Sequence, residues 1–160
     1  QLSDDGKMTT RIIEDRKYVR TIQGKVLIQS RSASRHQWKF KVNKLDPYRR
    51  SYDVGIGIVT FCTHMSKFTT RSYKLWMDGT IDRWDQPKTR RWEQQLSFGE
   101  GDIILMDLDL RIKALSYKIN DRPGYKAFDK ISTDKTCWYC MEFRAGKSGD
   151  SISLISHKSK

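Results

Sequence analysis

Strict alternation of apolar and polar residues dominates this chain and predicts short β-strands. In residues 37–42, the apolar side chains Trp38, Phe40 and Val42 alternate with polar ones, which is typical of a strand with one buried face. Residues 52–58 repeat the alternation, with glycines on the second face. Further strands are predicted over residues 18–22, 25–29, 72–77, 102–110, 112–119, 138–143 and 151–155. Many short strands without a sustained helical period predict an all-β sandwich or barrel.

Polar segments rich in turn-forming residues separate these strands. Residues 120–124 read Asn-Asp-Arg-Pro-Gly and predict a tight turn. Two longer stretches are predicted as loops. One covers residues 45–51, where Pro47 opposes regular pairing, and the other covers residues 85–97 and contains Pro87.

The length and composition fit one globular domain. The chain has 160 residues, of which 37% are hydrophobic and 31% are charged. We expect a single domain over residues 1–160, with a core at about 25–155 and N-terminal strands or an extension over 1–24. No apolar run is long enough to span a membrane. The first residues contain neither a starting Met nor an apolar signal region, so we expect a piece cut from a longer protein.

Charge and cysteine content narrow the class of partner and the compartment. The net charge of +12 favours acidic partners, which keeps nucleic acid or another polyanion as an alternative ligand. No run of five basic residues occurs, so a solvated basic surface is the plainer interpretation. The three cysteines form no evident disulfide framework. We therefore expect reduced thiols in an intracellular protein of the cytoplasm or nucleus.

Several segments, taken in chain order, resemble the motifs of SPRY domains. The segments are Ser34–Phe40, Val54–Ile58, Gly101–Asp109, Leu115–Asp121, Gly124–Phe128, Cys137–Phe143 and Ser151–Leu154. The resemblance spans about residues 25–155. It implies a bent antiparallel β-sandwich of the concanavalin-like, SPRY-like type. It also implies a non-catalytic protein-interaction module. We expect no cofactor, and we expect the isolated domain to be monomeric. Such a module recognises a peptide or protein through loops at one edge, for a ubiquitin ligase or a scaffold.

A zinc site is an open alternative in the sequence. Cys62, His64, Cys137 and Cys140 are residue types that bind zinc. However, a Cys-x-x-Cys segment in an extended strand directs its two thiols to opposite faces, which opposes chelation. We therefore expect no metal.

Catalytic residue patterns are weak. Asp107 and Asp109 fall on one face of a predicted strand, at a spacing that glycoside hydrolases use, so a glycan-active sandwich enzyme is a lesser alternative. No further carboxylate completes the row. The histidines His36, His64 and His157 accompany no nucleophile motif. We expect that the protein is not an enzyme.

Clusters of arginine and aromatic residues mark the candidate partner-binding site, because these side chains are the usual anchors of protein interfaces. They occur in the two predicted loops and just before the second one, as Tyr48, Arg49, Arg50, Arg83, Trp84, Arg90, Arg91 and Trp92. The SPRY resemblance adds Trp138, which aligns loosely with an aromatic of the peptide pocket in SPRY adaptors of the SOCS-box type. Trp38 and Trp76 are instead predicted to belong to the core.

Overall fold

The computed structural model describes most of the predicted sandwich. The described residues are 8–10, 20–28, 34–45, 54–60, 71–84, 88–131, 137–143 and 150–160. For residues 8–10, 20–28, 60 and 137–143 the description covers the backbone alone.

The described chain is built from β-strands and one short 3₁₀ turn. The strands are β1 (Met8–Thr10), β2 (Arg20–Ile28), β3 (Arg35–Lys44), β4 (Val54–Thr60), β5 (Arg71–Trp76), β6 (Thr80–Trp84), β7 (Thr89–Trp92), β8 (Ile103–Asp109), β9 (Ala114–Ile119), β10 (Tyr125–Phe128), β11 (Cys137–Phe143) and β12 (Ser151–Ser159). The 3₁₀ turn covers Gln94–Leu96. No helix within the described ranges is long and apolar enough to cross a membrane.

The strands form two six-stranded antiparallel sheets. Sheet A has the order β1-β12-β3-β8-β9-β10, and sheet B has the order β2-β11-β4-β5-β6-β7. Strands distant in sequence are neighbours in both sheets; β12, for example, pairs with β1 and β3. The prediction of an all-β antiparallel sandwich is confirmed.

The core lies between the two sheets and follows the alternation in the sequence. On β3, Trp38, Phe40 and Val42 are fully buried and pack with the buried side chains of sheet B. The hydroxyl of Tyr117 on β9 donates to the carbonyl oxygen of Ile56 on β4 at 3.0 Å, which ties the sheets together inside the core. The predicted core positions of β3 are confirmed.

The glycines of β4 permit a close approach on the outer face of sheet B. Gly55 pairs with Trp76, and a Cβ atom at residue 55 would lie 2.8 Å from the Trp76 ring. A Cβ atom at Gly57 would lie 2.0 Å from the carbonyl oxygen of Tyr73. The space that these glycines leave is therefore filled by β5, and Trp76 is fully buried as predicted.

The sequence prediction was wrong at three places. The two strands predicted over residues 18–22 and 25–29 form one continuous strand, β2. Two further boundaries also differ. The predicted loop over residues 85–97 contains β7, whose four residues are all exposed and therefore show no apolar alternation. The strand predicted over residues 112–119 begins at Ala114, because Arg111–Lys113 form a turn in which Lys113 has a φ of 52°. Neither feature leaves a periodic signal, since exposed strands and turns have similar polar compositions.

Two histidines stack with a core tryptophan at one end of sheet A. The rings of Trp38 and His157 are 5.1 Å apart, and those of His36 and His157 are 5.6 Å apart, with the ring planes nearly parallel. His36 Nδ1 and His157 Nε2 are separated by 3.4 Å. Two facing ring nitrogens at this distance share one proton favourably, whereas a second proton would set two N–H groups against each other.

We expect Gly57→Ala to destabilise the fold strongly, because the added methyl group would collide with the backbone of β5. Overpacking of this kind costs about 2–3 kcal/mol of unfolding free energy. Gly99→Ala is the matched control, since a Cβ atom there would meet nothing within 4 Å. Urea unfolding of both variants measures the difference. Equal midpoints for the two variants would contradict the close approach.

We expect stability to fall as the pH is lowered through the titration range of histidine, partly because of His157. Burial lowers the pKa of His157 below its ordinary value of 6.5. The unfolded chain therefore takes up the proton first, so this contribution is complete above 6.5 and is lost as the pH falls toward the folded pKa. Urea unfolding at about pH 7.5 and pH 5.5 should show a smaller loss for His157→Gln than for the wild type. An equal loss would exclude this role.

Candidate partner-binding site

The tight turn between β5 and β6 positions the arginine and tryptophan residues of β6 and β7. Gly79 adopts a φ of +86° in the turn between β5 and β6, and the side chain of Asp78 accepts a hydrogen bond from the N–H of Thr80 at 2.8 Å. The N–H of Glu93 donates to the carbonyl oxygen of Gly79 at 3.0 Å. A Cβ atom at Gly79 would lie 2.3 Å from the carbonyl oxygen of Glu93, so glycine is required there.

The register of β6 and β7 sorts the candidate residues onto two faces of sheet B. Arg83 pairs with the core residue Tyr73, and Arg91 pairs with the core residue Ile81, so both arginines lie on the face toward sheet A. The opposite face carries the remaining candidates, Trp84, Arg90 and Trp92. The structure therefore brings these candidates together on β6 and β7 but places them on opposite faces of sheet B.

The two arginines on the inner face connect β6 and β7 to the last strand of sheet A. The guanidinium of Arg83 donates to the carbonyl oxygen of Asp129 at 3.3 Å and lies over the Tyr73 ring. Arg91 donates to the carbonyl oxygen of Ala127 in β10 and lies 5.9 Å from the centre of the Tyr125 ring. Both side chains thus hold the edges of the two sheets together.

A hydrogen bond next to these arginines strengthens the same connection. The hydroxyl of Tyr125 on β10 donates to the carboxylate of Glu93, which follows β7. This hydrogen bond, together with burial, raises the pKa of Tyr125 above its usual value. The phenol is therefore kept protonated and available as a donor.

The opposite face carries a row that we call the Trp–Arg strip: Trp84, Lys88, Arg90 and Trp92. The Trp92 indole donates to the carbonyl oxygen of Asp78 at 2.7 Å, which fixes its ring. Arg90 contacts Asp82 at 3.3 Å, and the Lys88 ammonium lies 4.0 Å from the centre of the Trp84 ring. The strip is therefore held in place by neighbouring groups rather than extending freely into solvent.

The strip is open to solvent. Trp84 is 48% exposed and Trp92 is 61% exposed, whereas Trp38 and Trp76 are fully buried. Large aromatic side chains with this exposure present contact area at little entropic cost, because they have few rotatable bonds. Among the candidates with described side chains, those of the Trp–Arg strip are best placed to contact a partner.

Among the strands that the structure describes, none pairs with the outer edge of β7, which lies beside the strip. β7 is the last strand of sheet B and pairs with β6 on one side. Because the N–H of Glu93 points toward Gly79, alternation directs the N–H and C=O groups of Trp92 and Arg90 away from β6. These groups can accept a further strand.

The other predicted site residues are placed less fully. Tyr48, Arg49, Arg50, Cys62 and His64 lie outside the described residues. Trp138 lies in β11, where its backbone pairs with Leu27 and Val59, and Cys137 and Cys140 belong to the same strand. In the part of the chain whose side chains are described, no group of three residues is arranged to hold a metal ion.

The two aspartates considered for glycan chemistry are engaged in ion pairs. Asp107 accepts hydrogen bonds from Arg35 and Gln37, and these outweigh the effect of burial so that its pKa is lowered. A hydrogen bond from Arg111 lowers the pKa of Asp109 to about 2. A glycosidase needs one carboxylic acid that stays protonated near neutral pH, and neither carboxyl group meets that requirement.

Sequence reasoning missed two residues that shape the strip. Lys88 was not selected, although it lies in the same basic and aromatic stretch. Asp82 was also missed; it is buried and accepts hydrogen bonds from Trp76 at 3.4 Å and Arg90 at 3.3 Å. Alternation along β6 and β7 could have indicated the Asp82–Arg90 pair if β7 had been recognised as a strand.

We expect Arg91→Ala to destabilise the domain more than Arg90→Ala. Arg91 donates to a backbone carbonyl across the two sheets, and its loss should cost about 1–2 kcal/mol. The Arg90 side chain is 57% exposed, and the buried Asp82 carboxylate that it contacts also accepts a hydrogen bond from the Trp76 indole, so the loss of Arg90 should cost about 1 kcal/mol or less. Urea unfolding of the two neighbouring variants gives the comparison. The reverse order of stability would contradict the division into inner and outer arginines.

Solved structures provide the comparison with known proteins. The SPRY domain of human HERC1 superimposes with a TM-score of 0.67 at 16% identity, over 96% of this chain and 90% of that chain. The TRIM65 PSpry domain gives a TM-score of 0.61 at 12% identity, over 98% and 85%. The Drosophila melanogaster Neuralized NHR1 domain gives 0.59 at 10%, over 98% and 90%. No protein-family model matches the chain, and neither does any curated protein sequence. These similarities establish the fold: the chain is a SPRY-like β-sandwich, as its motifs predicted.

Proposed function

We propose that this domain is a non-catalytic recognition module that binds an extended segment of a polar or acidic protein along β7. The observation that carries the proposal is that a strand edge left unpaired by every described strand coincides with the exposed Trp–Arg strip. All four residues of β7 are exposed, and the indole rings of Trp84 on β6 and Trp92 on β7 lie on the same face of the sheet. The SPRY-like fold supports a role in protein interaction.

The strip combines two kinds of contact that suit a polypeptide. The faces of Trp84 and Trp92 cover apolar atoms, and the guanidinium of Arg90 can form paired hydrogen bonds with a carboxylate or a backbone carbonyl. On one strand, Arg90 and Trp92 are two residues apart, about 7 Å. The same spacing separates alternate side chains of an extended peptide, so an acidic and an apolar residue at alternate positions would match both.

The free edge of β7 would supply the main-chain part of recognition. An added strand would pair with the backbone groups of Arg90 and Trp92 that point away from β6. Such pairing provides affinity independent of sequence, and the strip then selects the side chains. Arg83 and Arg91 would support this surface by fixing the hairpin against β10.

The proposed site can extend beyond the strip. Tyr48, Arg49, Arg50 and Trp138 remain predicted members of the partner-binding surface. The wider role that we propose is substrate recognition for a ubiquitin ligase or assembly on a scaffold, inside the cell. The alternative is binding of RNA or DNA, which the net charge of +12 and the pairing of Lys88 with Trp84 favour.

Affinity capture with matched variants tests the proposal. The immobilised domain is incubated with cell extract, and the retained proteins are quantified by mass spectrometry. We expect the Trp84→Ala/Trp92→Ala double variant to lose the specific partners by at least about tenfold. Arg90→Pro should do the same, because proline removes an N–H that faces the free edge and is tolerated in edge strands.

The control variant is Lys126→Glu, which changes a charge on sheet A and should retain the partners. Circular dichroism of every variant verifies that the sandwich is intact. If the Trp and Pro variants retain the same proteins as the wild type, the proposed site is refuted. If retention disappears after nuclease treatment and falls steeply with salt, nucleic-acid binding replaces the proposal.

A further inference from the structure

A basic groove lies on the outer face of sheet A, on the opposite side of the sandwich from sheet B. Its volume is about 460 Å³. The residues that line it come from β3, β8, β9 and the turn after β9: Lys39, Ile103, Leu105, Lys118, Asn120 and Asp121. The groove thus belongs to three adjacent strands of one sheet and contains no residue of the Trp–Arg strip.

Strand register arranges the groove as an apolar floor between lysines. Leu105 on β8 pairs with Lys39 on β3 and with Lys118 on β9, so the two lysines flank the leucine. The backbones of β3 and β9 are about 10 Å apart, which is two strand spacings. Ile103, two residues from Leu105 on the same face, extends the floor and pairs with Lys41.

The end of the groove is rigid. Asn120 adopts a φ of 50°, and its side-chain oxygen accepts a hydrogen bond from the N–H of Ile103 at 2.8 Å. Its amide nitrogen donates to Asp102 at 2.7 Å. Both the oxygen and the nitrogen of the Asn120 side chain therefore fix the turn to the beginning of β8. A rigid end means that the floor and walls exist before a ligand arrives, which reduces the entropy lost on binding.

The described lining of the groove carries a net positive charge, because Lys39 and Lys118 stand against the single carboxylate of Asp121. The nearest carboxylates along β8 are already engaged, since Asp107 forms an ion pair with Arg35 and Asp109 forms one with Arg111. Within the described part of the chain, Lys39, Lys41 and Lys118 form no ion pair; Asp121 lies at the end of the groove. The groove therefore favours an anionic ligand.

We propose that this groove is a second docking surface, which binds an acidic polypeptide segment containing an aliphatic residue. The aliphatic side chain lies on Leu105 and Ile103, and carboxylates on either side of it contact Lys39, Lys41 and Lys118. Charge complementarity supplies orientation and rate, and the apolar floor selects the residue between the charges. The surface is independent of the Trp–Arg strip.

The composition of the groove favours a polypeptide over the other polyanions. A single-stranded nucleic acid uses aromatic platforms for its bases, and none of the described residues that line the groove is aromatic. An anionic membrane would require apolar side chains that protrude, whereas Ile103 and Leu105 form the floor between longer lysine side chains. A polypeptide uses both the floor and the walls.

Fluorescence anisotropy with defined probes tests the proposal on the whole chain. The probe is a labelled peptide of about a dozen residues built from repeats of Asp-Leu-Glu-Glu. A second peptide replaces every leucine by serine at the same charge, and a third replaces every acid by its amide. An oligouridylate of similar charge represents nucleic acid. We expect measurable binding at physiological salt for the first peptide alone.

Charge and floor variants locate the binding site. We expect Lys39→Glu/Lys118→Glu to weaken the first peptide at least about tenfold, through repulsion of its carboxylates. Lys126→Glu reverses one charge on sheet A outside the groove and should weaken it less than about threefold, and less than the single variant Lys118→Glu, which reverses one charge inside the groove. Leu105→Thr keeps a strand-forming side chain but makes the floor polar, and it should reduce the preference for leucine over serine.

Specific outcomes overturn the proposal. Equal affinity for the leucine and serine peptides would remove the role of the floor, and tighter binding of oligouridylate would assign the groove to nucleic acid. An equal effect of Lys126→Glu and Lys118→Glu, which reverse one charge each, would reduce the binding to general attraction by the basic surface. The Trp84→Ala/Trp92→Ala variant should bind the peptide normally; its loss of binding would place the peptide on the strip instead.

Discussion

The packing of sheet A against sheet B is the contact on which the rest of this structure depends. Alternating apolar side chains of β3, β4, β5, β8 and β9 meet between the sheets and are almost completely buried. Burial of this kind is the main favourable contribution to folding. It also fixes which face of each strand turns outward, so every surface feature follows from it. The hydrogen bond from Tyr117 to Ile56 gives the phenol hydroxyl inside this contact a partner on the opposite sheet.

At the edge of the sandwich, this packing decides which side chains of the last hairpin of sheet B face solvent. Arg83 and Arg91 lie on the inner face and join β6 and β7 to β10 and the residues after it, so the last hairpin of sheet B is fixed on one side. Its other side carries Trp84, Arg90 and Trp92 toward solvent. Neighbouring arginines in the sequence thus have different roles, because adjacent residues of a strand point to opposite faces. A rigid hairpin with an exposed face is well suited to recognition, since its shape is set before a partner arrives.

The two outer surfaces differ in their physical character. The Trp–Arg strip offers large aromatic faces and an unpaired strand edge, which suit an extended peptide with specific side chains. The groove of sheet A offers an aliphatic floor between lysines, which suits an acidic segment. A domain with these surfaces on opposite sides could contact two segments of one partner, or two partners. Binding two linked segments would increase the overall affinity far beyond that of either surface alone.

The sequence by itself determined the strands with a buried face. In residues 37–42 and 54–58, the alternation predicts the core positions of β3 and β4. A strand with one buried face has an apolar residue at every second position, so its sequence shows the burial directly. The order of motifs also determined the SPRY-like fold. Only the tertiary structure decided the identity of β7, the separation of Arg91 from Arg90 and Trp92, and the meeting of Lys39, Leu105 and Lys118. These features depend on register between strands that are far apart in the chain, and register is set by packing of the whole sandwich rather than by local sequence.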